Sequence, residues 1–302
     1  AGTLVVESAE LPALAVKYHV KPYALSQRPS VGLSKIHDVR VGLYKPWVAN
    51  IDEGWTRFLL DQYHFNYTNL DNKTIKAGKL KDAYDVIILP DVEKEVIVEG
   101  KPKRESGEMK YWEEMPAEYA GGIAKEGVAA LKEFAESGGA IVTLADSGEL
   151  LAEEFNIPVR NLLLNAKDEF NCPGSILHAE LDQTSPINYG MPKEAKIFVD
   201  GKIAYQTNIP GGGMERTVVA QYPADVEDIL VSGYLKGGEK LENQAAAVSF
   251  TYGKGRLIML GFRVQHRAQM EGTFKMLFNS IHWAGMEEPA KATGSASASA
   301  GR

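Results

Sequence analysis

The chain has 302 residues, 44% hydrophobic and 24% charged, which is enough for one large α/β domain or two smaller ones with a sizeable core. Its 33 basic and 40 acidic residues give a net charge of -7 and are mixed along the chain, which excludes the basic stripe of a nucleic-acid binder. No run reaches the ~18 apolar residues of a membrane span. The one cysteine, Cys172, excludes an internal disulfide and reads as a small buried hydrophobe.

The chain opens on "AGTLVVESAE", a strand-like run over Thr3 to Val6 with no initiator Met and no signal-peptide segments. That start reads as a processed product or a piece of a longer polypeptide. "ELPALAVKYHV" predicts a helix, and Pro22 and Pro29 mark the stretch after it as a connector. From Val39 strands alternate with helices. "VRVGLY" predicts a buried strand, and "DEGWTRFLLDQYHF" its helix, with Trp55, Phe58, Leu59 and Tyr63 at helical spacing. Between them lies "KPWVANIDEGW", two tryptophans around an Asp-Glu pair. "DAYDVIILPD" is a second buried strand, and the charged stretch from Glu93 to Glu114 reads as a surface excursion too polar for the core.

"GGIAKEGVAALKEFAESGG" predicts a helix with Ile123, Val128, Leu131 and Phe134 on one side, ended by Gly138 and Gly139. "AIVTLADSGELLAEEF" is strand, tight turn and helix. This alternation predicts a three-layer α/β domain, its mostly parallel sheet covered by helices on both faces. In the second half, "SILHAELD", "TVVAQYP", "ILVSGYL" and "QAAAVSFTYGKGRLIMLGF" read as an added antiparallel region, with a hairpin at Gly253-Lys254-Gly255. "AQMEGTFKMLFNSIHWAG" is the final helix, with Met270, Phe274, Leu277, Phe278 and Ile281 on one face, and 286–302 reads as a flexible tail. The expected division is a strand–helix segment and connector over 1–37, the α/β domain over 38–285, and the tail.

Chemistry-bearing motifs are sparse. Six histidines include no H-x-x-E or H-E-x-x-H pair, so no metal or other cofactor is expected on this chain. The glycine-rich "PGGGM" (210–214) neither follows a buried strand nor opens a helix, and reads as an exposed loop rather than a phosphate cradle. The turn at Ala145, Asp146, Ser147 and Gly148 is where an α/β hydrolase or amidotransferase displays its nucleophile, yet neither G-x-S-x-G nor G-x-C-x-G is present. Ser147 or Asp146 as a helix cap is the simpler reading. His266 follows a hydrophobic strand. Arg263 and Arg267 lower its basicity, and a loop-orienting, hydrogen-bonded role suits it better than catalysis.

Taken together, "RVGLYKPWVANIDEGWTRFLLDQYHFNYTNL", "YDVIILPD", "MPAEYAGGIAKEGVAALKEFAESGGAIVTL", "FNIPVRNLL", "CPGSILHAELD" and "GKGRLIMLGFRVQHRAQMEGTFKMLFNSI" resemble the C-terminal region of large bacterial secreted zinc carboxypeptidase-like proteins of the carboxypeptidase A type. There an amidotransferase-like α/β domain follows the peptidase domain. The order of elements is more distantly similar to class I glutamine amidotransferases. "VQH" matches their catalytic histidine at His266, whereas the elbow cysteine is replaced at Ala145 or Asp146 and the Pro-Glu after the histidine by Arg267-Ala268. The resemblance implies a non-catalytic accessory domain, extracellular or periplasmic, with zinc in an upstream or associated peptidase domain. Two alternatives stand beside it. One is a stand-alone hydrolase or amidotransferase using His266 with Ser147 or Asp146. The other is a structural or assembly component, to which a homo-oligomer would suit.

Topology adds an expectation. Loops after parallel strands reach the same sheet edge, so Asp52, Glu53, Asp146, Ser147 and His266 should meet there as a vestigial pocket, with carboxylates favouring charged His266. Trp47 and Trp55 fit a packed corner facing a neighbouring domain.

Overall fold

The computed structural model describes residues 4–6, 10–29, 33–102, 115–117 and 119–286. Leu4 to Val6 has no regular structure. Helix α1 (Leu11–Lys17) has Pro12 in its first turn, where a missing N–H costs nothing, and it buries no side chain.

The α/β alternation follows: β1 (Val41–Tyr44), α2 (Ile51–Gln62), β2 (Tyr67–Leu70), α3 (Asn72–Ala77), α4 (Leu80–Ala83), β3 (Val86–Leu89), α5 (Lys94–Glu99), α6 (Ala124–Glu136), β4 (Ala140–Leu144) and α7 (Gly148–Glu154). The second half supplies β5 (Val159–Asn161), β6 (Pro173–Leu181), β7 (Glu194–Asp200), β8 (Tyr205–Thr207), β9 (Arg216–Gln221), β10 (Leu230–Ser232), β11 (Ala245–Tyr252), β12 (Gly255–Leu260) and the final helix α8 (Glu271–Ala284).

One sheet joins them. Strands β2, β1, β3, β4 and β12 lie side by side and parallel. Beyond β12 the sheet continues antiparallel through β11, β9 and β6, with β7 and β10 on β6, and β8 linking β11 to β5. The expected mixed α/β sheet, parallel first and antiparallel after, is the one found. A hairpin joins β11 to β12 through Gly253 and Lys254, with Tyr252 opposite Gly255. Gly253 has φ +58°, and a Cβ there would lie 2.6 Å from the Cα of Glu136, so the turn presses on the end of α6.

The parallel strands are buried on both faces, as their continuous apolar runs require. Val41, Leu43, Val86, Ile88, Val142, Leu144, Ile258 and Leu260 face α2 and α8. Ile87, Leu89, Ile141, Leu257 and Met259 face α3 to α7, meeting Ile75, Ile97, Leu131, Phe134 and Leu150. At ~1.5–3 kcal/mol for each large side chain removed from water, these two layers dominate the fold.

Four expectations are corrected. α2 turns Asp52, Glu53, Thr56, Leu59 and Leu60 inward, while Phe58 and Tyr63 stay exposed and Trp55 half-buried, so the aromatic stripe is not the core face. The Glu93–Glu114 stretch is not all surface, because α5 buries Val96 and Ile97 against α6 and α7; residues 103–114 lie outside the described residues. The proposed tail does not begin at Met286, which forms a β-bridge with Ile36 beside a bond from the His37 N–H to the Gly285 carbonyl; residues 287–302 are outside the described residues. The Leu4–Val6 part of the first strand-like run is not a strand, and Thr3 is outside the described residues.

Among the described residues, no helix is long and apolar enough to cross a membrane.

Candidate functional site

The loops after β1, β3, β4 and β12 arrive at one edge of the sheet because their strands are parallel. At the β1 loop, Asn50 caps α2 by accepting the Glu53 N–H at 2.7 Å, and its amide donates to the Asp91 carbonyl at 3.1 Å. That cap buries Asp52 and Glu53 in the first turn, where carboxylates suit the helix dipole. Glu53 pairs with Arg57 at 3.3 Å, leaving its Oε1 without a partner.

Arg263, just beyond β12, is the hub. Its Nε donates to Asp91 Oδ2 at 2.6 Å and lies 3.6 Å from Asp52 Oδ2, and its Nη1 donates to Asp200 Oδ2 at 3.2 Å. Asp91 Oδ1 accepts the backbone N–H of Asp146 at 3.0 Å. One guanidinium thus ties the β1, β3 and β4 loops to the end of β7 in the antiparallel extension. Asp52 and Asp91 are buried, whereas the Asp146 side chain is exposed at the rim. Burial first and Asp91 second push the Asp52 carboxyl up to about 6, against the pull of Arg263. Desolvation by its crowded surroundings and then Asp91 likewise push Asp146 up to about 7. Gln265, fully buried, donates to Thr56 Oγ1 at 3.1 Å, and its Oε1 has no partner.

The β4 turn is strained at the position expected for a nucleophile elbow. Ala145 holds φ +47°, a left-handed conformation that costs a non-glycine residue ~1–2 kcal/mol, and its side chain is a methyl group. Ser147 is fully buried and committed. Its Oγ accepts the Leu144 N–H at 3.0 Å, with the carbonyls of Leu89 and Leu144 each 2.9 Å away as acceptors. It braces the turn to β3 and makes no cap bond to α7, which corrects the expectation of a capping serine. The space above the first residue of α7 is taken by Tyr205, whose Oη would lie 2.1 Å from a Cβ placed on Gly148.

His266 stands apart from this hub. Its ring stacks on Phe198 of β7, with centroids 3.5 Å apart and planes inclined by 20°, and its Nδ1 has no hydrogen-bond partner. Burial, then Arg263 and Arg267, lower its pKa below the usual histidine value, with Asp200 opposing. Two expectations are thereby corrected: stacking rather than a hydrogen bond seats the ring, and its neutral form is favoured. The structure brings Asp52, Asp146 and the Gln265 loop together around Arg263, turns Glu53 to Arg57, buries Ser147 beneath the turn, and sets His266 on β7.

Asp91, Asp200 and Tyr205 were missed by sequence reasoning. Asp91 closes the buried run "VIILPD", a signal that was available; Asp200 closes β7, a strand the pattern did not reveal. Among the described residues, no group of three or more His, Cys, Asp and Glu side chains could hold a metal ion.

No protein-family model matches the sequence, and no curated protein was found to match it. Solved structures do. PurLQS from Thermotoga maritima is 18% identical with a TM-score of 0.50, over 82% of this chain and 99% of that one. A glutamine amidotransferase from the same organism is 15% identical (TM-score 0.42, 80% and 90% covered), and a ThuA-like protein from Bacteroides uniformis is 12% identical (TM-score 0.42, 85% and 95% covered). At such identities the likeness to PurLQS is one of fold alone: a mixed α/β sheet, parallel first and antiparallel after.

Proposed function

We propose that this chain is a non-catalytic amidotransferase-like domain, accessory to a secreted zinc carboxypeptidase-like protein, which it positions or stabilises. The observation that carries the first half is Ala145 at the elbow: a methyl group on a left-handed residue cannot attack a carbonyl. Ser147 is no substitute, because its hydroxyl is bound within the turn, away from solvent. His266 has a stacked ring and no hydroxyl or carboxylate partner to orient it as a base. The peptidase half rests on the sequence strings alone, and with it go the export from the cytoplasm and the placement of zinc in the partner.

The purified chain is expected to hold no stoichiometric zinc and to turn over neither glutamine, p-nitrophenyl esters nor peptides with free C-termini. Turnover abolished by His266→Ala, with the fold intact, would overturn the non-catalytic reading. For the peptidase half, the same reading frame should encode a His-x-x-Glu-bearing domain; a frame without one refutes it.

One observation favours a second reading. Asp146 sits exposed at the rim, its backbone N–H fixed by Asp91 at 3.0 Å, and the crowded acidic surroundings raise its carboxyl pKa toward neutrality, as a general acid–base requires. A hydrolase built on it would lose all turnover in Asp146→Asn.

A further inference from the structure

The outward face of α2 is an apolar strip left uncovered among the described residues. Ile51 is 70% exposed and Phe58 50%, with Trp55 half-buried between them, and Trp47, just before the helix, is 48% exposed. The strip is not loose. Trp55 meets Phe58 edge-on with centroids 5.7 Å apart, and Trp47 stacks on Tyr119 at 3.9 Å. Beneath it Thr56, Leu59 and Leu60 lock the helix to the sheet. Arg57, which could have broken the strip with a charge, turns back to Glu53 within the same helix.

The spacing of this strip is nearly symmetric. Ile51 and Phe58 stand one helical turn to either side of Trp55, so the pattern reads alike in both directions. A two-fold axis through Trp55 sets α2 of one copy antiparallel to α2 of the other, Ile51 against Phe58 and Trp55 against Trp55. That orientation also places each helix's positive end beside its neighbour's negative end. We propose that this face is a two-fold interface between two copies of the chain, independent of whether the sheet edge is catalytic.

Its size sets the strength. At ~150–250 Å² per large side chain, the exposed fractions of Trp47, Ile51 and Phe58 amount to about 300 Å² of apolar surface. Interfaces are slightly over half apolar, so this corresponds to about 500–600 Å² per partner, the lower end for specific association. A weak dimer follows, with Kd of roughly 10 μM.

Sedimentation velocity on the full chain from ~1 to ~200 μM should show a monomer–dimer equilibrium around that value. Phe58→Glu and Ile51→Lys, both at exposed positions, should each weaken it at least tenfold while leaving the melting temperature unchanged. Trp55→Cys, next to the axis, should form an interchain disulfide under mild oxidation; Cys172 is buried and does not compete. A chain monomeric throughout that range overturns the proposal, as does a dimer indifferent to both charge variants. If the wild type is monomeric but the face captures a peptidase domain, the proposal also falls, in favour of that other occupant.

Discussion

Replacing Arg263 by Met removes the cation that joins the loops of the sheet edge. The variant leaves Asp52 and Asp91 buried without their guanidinium partner, and breaking a buried pair in this way costs ~3–5 kcal/mol. The pair to Asp200 adds little, since that carboxylate is 41% exposed, and a guanidinium one-quarter exposed already shares its charge with water. About 2–4 kcal/mol is therefore expected at pH 8. The loss should depend on pH, and its sign follows from the carboxyl groups. Asp52 titrates near 4 when unfolded and at about 6 when folded, so the folded state holds the proton more tightly. Ionising it between those values lowers wild-type stability by ~3 kcal/mol, and the loss is complete above pH 6. Without Arg263 the folded value rises further, so the decline continues past pH 6. At pH 5 both proteins keep Asp52 protonated, so its share of the loss disappears and the variant's deficit should be smaller than at pH 8, the part due to Asp91 remaining. Urea unfolding at pH 5 and pH 8, followed by tryptophan fluorescence, measures both numbers. Equal losses at the two pH values, or a loss under ~1 kcal/mol at pH 8, would refute the hub. Asp52→Asn added to the variant should recover part of the pH 8 loss, because the two sites share one interaction.

Ser147→Ala should cost ~1–3 kcal/mol by leaving the buried Leu144 N–H unpaired, and urea unfolding reads it directly. His266→Ala should cost about 1 kcal/mol through loss of the Phe198 stack, whereas His266→Phe should retain the stability. Because His266 is less basic folded than unfolded, the wild type should also lose ground against His266→Phe as pH falls below about 6.5; parallel pH–stability curves would contradict this. At the elbow, Ala145→Val should destabilise by more than ~2 kcal/mol, a β-branched side chain being poorly tolerated at positive φ, while Ala145→Gly should stay within ~1 kcal/mol of wild type as relieved strain offsets lost burial. Thermal melts of the pair test that ordering.

The parallel core was legible because β1, β3 and β4 are short continuous apolar runs, a pattern that only doubly covered strands require. The α6 face was legible for the same reason, since Val128, Leu131 and Phe134 follow the helical period. Strand β2, "YTNL", escaped notice because it is an edge strand with two exposed polar residues and little burial to enforce a pattern. α2 misled because its aromatic residues share the helical period of its core residues but sit on the opposite side; periodicity gives a face, not which face is inward. Of the site, the loops after β1, β4 and β12 could be placed from topology alone. The hub could not, because Arg263, Asp91 and Asp200 are 63 to 172 residues apart and meet only through folding. His266 was placed in the right loop, but its stack on Phe198 depends on β7, whose alternating "EAKIFVD" went unread.

The bridge between Ile36 and Met286 has a mechanical consequence. Backbone at the two ends of the α/β unit is paired, and a Cβ on Gly285 would strike the His37 carbonyl at 2.7 Å, so the incoming and outgoing strands of chain leave side by side. Tension applied through both ends loads this contact in peeling rather than in shear, one pair at a time. The bridge and then α8 should come away before the five parallel strands feel the force. In single-molecule pulling, the first extension step is expected to match release of that terminal helix, and a single all-at-once rupture of the sheet would show that the clasp does not yield first.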